Sequence, residues 1–120
     1  MVTRYNKLVR DKVLKLLTAQ GYSYECDKYI SHKSYRRALA DILEDDLRFF
    51  LDTGIKENQV DRLADMLEVI YALANDCEIN KKALELARAD KEKEKGKYRE
   101  KIKLISVDDK KDEDEIEKSH

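Results

Sequence analysis

The 120-residue sequence predicts an all-α fold, an antiparallel helical bundle, and three observations carry that reading. There is no proline, and the glycines are only Gly21, Gly54 and Gly96, so few positions interrupt a helix. Apolar residues recur at intervals of three and four through most of the stretch from Asn6 to Lys95, the signature of helices with one buried stripe. The two longest stretches are joined by a few residues around Thr53-Gly54, short enough to make them antiparallel neighbours.

Helix one is expected from Asn6 to Gln20, with Leu8, Val9, Val13, Leu16 and Leu17 as its stripe and Gly21 as the left-handed residue that stops it. Residues 22–33, with Tyr22, Tyr24 and Tyr29, read as a connection holding a short strand near 22–27. Ser34 is expected to cap a second helix running to about Asp52, with Ala38, Leu39, Ile42, Leu43, Leu47 and Phe50 on one side. A third helix from about Asn58 to Asp76 turns Val60, Leu63, Met66, Leu67, Ile70, Leu73 and Ala74 towards the core. Asn80 caps a fourth helix that Gly96 ends after Lys95. A brief strand at 102–107 could pair with 22–27, and residues 108–120 read as an acidic, disordered tail. Residues 1–107 therefore form one helical domain. Helix three carries a second semi-apolar side, Val69 and Ala72 beside Asp65, which a homodimer or higher homo-oligomer with a four-helix core would cover.

Composition removes several function classes. Charged residues make up 42 % of the chain, but 25 basic and 26 acidic residues nearly cancel, so no overall field favours nucleic acid or an anionic membrane. No apolar run would span a bilayer and no signal-peptide pattern opens the chain, which points to a cytoplasmic protein. Cys26 and Cys77 lack metal-type spacing and read as small, buried or half-buried side chains that stay reduced. His32 has no Ser, Cys or second His at a catalytic spacing, and His120 is terminal.

The informative residues are acidic. Advancing about 100° per residue puts Asp46 between Leu39, Leu43 and Phe50, in the middle of the apolar stripe of helix two. A carboxylate there loses hydration worth several kcal/mol, so it needs a counter-charge. The pattern Asp45-Asp46-x-x-Phe49, then twelve residues, then Arg62-x-x-Asp65 has the spacing of an acidic metal site. Together with YNKLVRDKV at 5–13, RLADMLEVIYAL at 62–73 and KEKGKYREKIKL at 93–104, it resembles the MazG-like, all-α nucleoside triphosphate pyrophosphohydrolase superfamily, and within it the small phosphoribosyl-ATP pyrophosphohydrolase-like branch.

The resemblance implies magnesium held by carboxylates, polarising a triphosphate for attack by water between its α and β phosphates. It maps the leading glutamates of the family motif onto Asp45 and Asp46 and the closing aspartate onto Asp65, the catalytic positions. The third and fourth acidic positions fall on Phe49 and Arg62. Phe49 cannot ligate a cation through oxygen, and a guanidinium among ligand positions repels one. Arg62 instead replaces the metal as counter-charge if it reaches Asp45, Asp46 or Asp65. The competing arrangement keeps a metal among Asp45, Asp46, Asp65 and Glu68, shifted onto the helix-spaced pairs Asp41/Asp45 and Asp61/Asp65 with Glu68 one turn beyond; a solvated charged face is the plain alternative. Phosphate contacts are expected from Lys7, Arg10 and Lys12 of the opening motif and from Lys95, Lys97 and Arg99 around Gly96; a stem covering apolar surface is the plain alternative for Lys12.

Three functions stay open. The first is a MazG-like protein that binds a nucleotide or phosphorylated metabolite, its Mg2+-dependent pyrophosphohydrolase chemistry impaired or lost. The second is an active nucleoside triphosphate pyrophosphohydrolase using Mg2+ at an atypical site. The third is a helical module that binds or inhibits a protein.

Overall fold

Four α-helices follow one another in the computed structural model, which describes residues 1–109. They are α1 (Val13–Ala19), α2 (His32–Asp52), α3 (Lys56–Asp76) and α4 (Lys81–Lys95). No strand occurs among the described residues, so the strands expected at 22–27 and 102–107 are not formed within the chain. The chain divides into two compact units, Met1–Glu85 and Leu86–His120, and the expected domain boundary at 107 falls inside the second. Of the expected acidic tail, residues 110–120 lie outside the described residues. No helix among the described residues is long and apolar enough to cross a membrane.

Helix ends follow local chemistry more closely than apolar periodicity. α1 is seven residues long and begins at Val13 rather than Asn6. Asn6 itself has φ 47, Lys12 offers no side-chain cap, and nothing acidic sits in the first turn, so the stretch 6–12 lacks what starts a helix. Its other end is as expected: Gly21 (φ 86) is left-handed, Tyr22 N donates to Leu17 O at 3.0 Å, and Gly21 N donates to Thr18 O at 3.0 Å. The cap of α2 is Ser31, three residues before the expected Ser34, because Ser31 Oγ accepts from Ser34 N at 3.1 Å. Ser34 becomes the third residue of that first turn, and its own hydroxyl lies 2.8 Å from that of Ser31.

The linker between α2 and α3 is Thr53–Ile55, braced by Asn58 Nδ2 and Gln59 Nε2, which donate to Oγ1 and O of Thr53, each at 3.3 Å. α3 ends in the same hydrogen-bond pattern as α1, with Ile79 N on Ala74 O at 2.8 Å and Glu78 N on Asn75 O at 3.0 Å. Here the left-handed position is taken by Glu78 (φ 61), a residue with a Cβ, which no glycine in the sequence announced. Asn80 caps α4 as expected, its Oδ1 accepting from Ala83 N at 2.8 Å.

α2 and α3 pack along their length, while α3 and α4 touch through Lys81 Nζ, 4.5 Å from the centroid of the Tyr71 ring. Pairs at 36/76, 46/62 and 53/59 show that α2 and α3 run antiparallel. The seam holds Leu39, Asp46 and Val69, all buried, with Ile42, Phe50, Arg62, Met66 and Leu73 half-buried. This corrects the expected orientation of α3 in part, since Met66 and Leu73 are half-buried and Ala74 is buried as expected. Val69 lies inside, at 6 % exposure, whereas Val60, Leu63, Leu67 and Ile70 are exposed. Leu47 of α2, also expected inside, is exposed. α3 carries two apolar stripes, and pairing of Arg62 with Asp46 turns inward the stripe that contains Arg62, Met66, Val69 and Leu73. On a helical projection Leu47 and Leu51 of α2 share one side of the hairpin with Leu63, Leu67 and Ile70 of α3. Those side chains are exposed among the described residues.

Candidate functional site

The middle of the hairpin seam is occupied by an ion pair. Asp46 comes from the inward stripe of α2 and its side chain is 8 % exposed; Arg62 comes from the facing stripe of α3 and is 37 % exposed. Arg62 Nη1 donates to Asp46 Oδ1 at 3.1 Å. The guanidinium carbon lies 4.6 Å from the centroid of the Phe49 ring, which shields one face of the cation and adds a cation–π attraction. Of the three carboxylates within reach on sequence grounds, Arg62 thus takes Asp46. Phe49 and Arg62, the two positions where the acidic pattern is broken, touch each other, and Arg62 supplies the counter-charge of the buried carboxylate. The second oxygen of that carboxylate, Oδ2, is buried without a hydrogen-bond partner.

The remaining pattern residues are dispersed. Asp65 receives Arg10 Nη2 at 2.7 Å, which fastens the irregular N-terminal segment to α3. Asp45 points away from the seam, 61 % exposed, and has Arg48 at 3.6 Å one turn on. Glu68 is exposed. The residues present do not fit a magnesium ion. Each carboxylate of the pattern has an arginine beside it, Phe49 offers no oxygen, and no three His, Cys, Asp or Glu side chains that could hold a metal lie together among the described residues.

The basic residues fall in different units. Lys7, Arg10 and Lys12 belong to the first, where Arg10 serves Asp65, Lys7 Nζ stands 5.7 Å from the Tyr5 ring, and Lys12 precedes α1, exposed. Lys95, Lys97 and Arg99 belong to the second and line an open concavity with Gly96, Tyr98 and Lys101. There Lys97 Nζ lies 3.3 Å from Glu92, whose carboxyl is held below its usual range by hydrogen bonds from Arg88 and then Lys97.

A second charged cluster closes the far end of the hairpin, and sequence reading missed it. Asp76, at the last turn of α3, accepts from Arg36 Nε at 2.6 Å and has His32 Nδ1 at 2.9 Å. Arg36 Nη2 also donates to the Asp76 carbonyl at 3.3 Å. The Arg36 hydrogen bond, aided by His32, holds the Asp76 carboxyl below the ordinary carboxylate range against the opposing effect of desolvation. Burial, then Asp76 and Asp11, push the Tyr35 hydroxyl up. His32, expected in a polar loop, is the first residue of α2. The signal was available in the register: once residues 46 and 62 are opposed in an antiparallel pair, 32 and 36 must meet the end of α3. Cys26 and Cys77, expected to be buried or half-buried, are exposed and free. Comparison with family models, with curated proteins and with solved structures finds no match.

Proposed function

We propose that this chain is a MazG-like protein that binds a nucleotide or a phosphorylated small molecule and no longer cleaves it. The observation that carries the reading is the Arg62–Asp46 pair stacked on Phe49. In the pattern that the sequence resembles, these positions hold carboxylates around magnesium. Here a permanently charged side chain stands in the cation's place, and two changes that would each cripple a metal site make one packed unit. Loss of metal chemistry and retention of the fold then follow from the same contacts.

Ligand contact is assigned to Arg10, Lys7 and Lys12. The Arg10–Asp65 pair is solvent-exposed on both sides and is worth about 0–1 kcal/mol, so a phosphate that binds the guanidinium bidentately can displace the carboxylate at small cost. Lys95, Lys97 and Arg99 offer a second set of cations. The exposed apolar side of the hairpin, with Leu47, Leu51, Leu63 and Leu67, supports assembly as a homodimer or higher homo-oligomer, and it equally supports the reading as a module that binds another protein. The absence of a spanning helix among the described residues fits the cytoplasmic placement expected from sequence.

The test is a two-by-two comparison of wild type, Phe49→Glu, Arg62→Glu and the double variant. Each is assayed for pyrophosphate release from a panel of nucleoside triphosphates with magnesium, and for thermal stabilisation by the same nucleotides without it. The expected outcome is stabilisation of the wild type in the absence of magnesium, no wild-type turnover, and gain of cleavage only in the double variant. Wild-type turnover at or above that of the double variant would establish the active pyrophosphohydrolase instead. No nucleotide response, with Lys7, Arg10 and Lys12 dispensable for a retained protein partner, would establish the interaction module.

A further inference from the structure

The second compact unit concentrates positive charge. Every odd-numbered residue from Lys91 to Lys103 is basic, seven cations against the three acids Glu92, Glu94 and Glu100, so this stretch carries +4 in a chain whose whole charge is −1. All seven are exposed. Among the described residues only Lys97 of the seven has an ion pair, at 3.3 Å from Glu92, an acid it shares with Arg88. Lys93 and Lys95 complement the negative end of α4, but the run continues past Lys95 to Lys103, where no helix dipole accounts for it.

Two left-handed residues bend the run. Gly96 (φ 83) closes α4, its N donating to Glu92 O at 2.7 Å, and Lys101 (φ 59) ends a tight turn in which its N donates to Tyr98 O at 3.2 Å. The concavity so formed is lined by Lys95, Lys97, Arg99 and Lys101, with Glu100 as the one acid of its lining. Like charges gathered on one concave surface repel one another, and a polyanion relieves that repulsion. Tyr98 belongs to the same lining and is 98 % exposed, between Lys97 and Arg99 in sequence. An aromatic ring left in water among cations is a platform for an unstacked base whose phosphates the cations hold. A duplex keeps its base faces stacked and offers the ring nothing. A bilayer is met by protruding apolar residues, whereas this concavity holds four cations and one aliphatic, Ile102.

We propose that the 95–102 turn binds single-stranded nucleic acid, with Tyr98 stacked on a base and Lys95, Lys97, Arg99 and Lys101 on the flanking phosphates. The surface lies within one compact unit, and it does not rest on the nucleotide reading, whose cations Lys7, Arg10 and Lys12 belong to the other.

The test is fluorescence anisotropy of the full chain with labelled oligo(dT) and oligo(U) of about 20 nucleotides and with a hairpin duplex, at about 50 mM salt. The single strands should bind at least about fivefold tighter than the duplex, and their affinity should fall with salt at a log–log slope of about −3, four phosphates at about −0.7 each. Tyr98→Ala should weaken binding about fivefold or more, while Tyr98→Phe, which keeps the ring face, should stay within about twofold of the wild type. Arg99→Glu/Lys101→Glu should weaken it about tenfold or more. Lys28→Glu/Lys56→Glu makes the same change in net charge in the first unit and should stay within about twofold. No binding to either single strand, equal binding of the duplex, a Tyr98→Ala variant that binds like the wild type, or a control pair that weakens binding as much as Arg99→Glu/Lys101→Glu would overturn the proposal. Capture by phosphatidylserine vesicles with no oligonucleotide bound would overturn it too, in favour of a membrane surface. Positions 98, 99 and 101 lie outside the helices, so helicity by circular dichroism should match the wild type in those variants.

Discussion

Replacing Arg62 by leucine removes the counter-charge of a carboxylate whose side chain is 8 % exposed and whose second oxygen already lacks a partner. Breaking a fully buried pair by removing one member costs about 3–5 kcal/mol, because the remaining charge stays in a poorly solvated place. Arg62 is itself 37 % exposed, so water can approach the vacated position and the cost should fall to about 2–3 kcal/mol. That figure includes loss of the cation–π contact with Phe49, about 0.5–1 kcal/mol. In urea denaturation followed by circular dichroism, the midpoint should drop by about 1–2 M at an ordinary slope for a chain of this size. The double variant Asp46→Leu/Arg62→Leu removes the stranded charge and the unsatisfied oxygen together, and should return to within about 1 kcal/mol of the wild type or exceed it. The reasoning fails if Arg62→Leu melts within about 0.5 kcal/mol of the wild type, or if the double variant is no more stable than Arg62→Leu alone.

Three further outcomes follow from helix ends and from the Asp76 cluster. Glu78→Gly should stabilise the chain by about 0.5–1 kcal/mol in the same urea titration, since relief of a left-handed Cβ at about 1–2 kcal/mol exceeds the entropy that glycine loses on folding. Ser31→Ala should cost about 1 kcal/mol, while Ser34→Ala should cost clearly less, because Ser31 supplies the capping oxygen of α2. Asp76 has its carboxyl depressed in the folded chain, so the stability it supplies is present above its unfolded value of about 3.9 and is lost as pH falls through the lower folded value. Thermal melts from pH 6 down to about pH 2 should therefore flatten in Asp76→Asn relative to wild type. An unchanged acid dependence would remove the cluster from the account.

Helix number, the antiparallel pairing of α2 with α3, and the burial of Asp46 were legible in the sequence, because each rests on period and loop length. The inward side of α3 was not. Leu63, Leu67 and Ile70 outweigh Val69 and Ala72 in hydrophobicity, and a periodicity argument follows the larger residues, although Met66, Leu73 and Ala74 lie inward as it expected. The structure follows the ion pair, since a buried Asp46 without Arg62 would cost more than leaving several leucines half in water. The start of α1 and the strands at 22–27 and 102–107 failed for another reason. Apolar spacing and strand propensity state what a segment is suited to, whereas a helix also needs a cap and a strand needs a neighbour, and neither is supplied among the described residues.

The contact between Phe49 and Arg62 explains why restoring only one of them should achieve little. With Phe49→Glu alone, the new carboxylate stands beside a guanidinium that still occupies Asp46, so it adds an ion pair and leaves no room for a cation. With Arg62→Glu alone, two acids face each other across the seam under an aromatic ring that offers no oxygen, and repulsion should destabilise the hairpin. The double variant gathers Asp46 and two glutamates around the same point, three carboxylates that repel one another unless a divalent ion is present. Its stability should consequently depend on magnesium where that of the wild type does not. Melting each of the four proteins with magnesium and with chelator reads this directly, whether or not cleavage returns. A double variant that folds equally well in chelator would show that position 62 does not stand where a cation would sit.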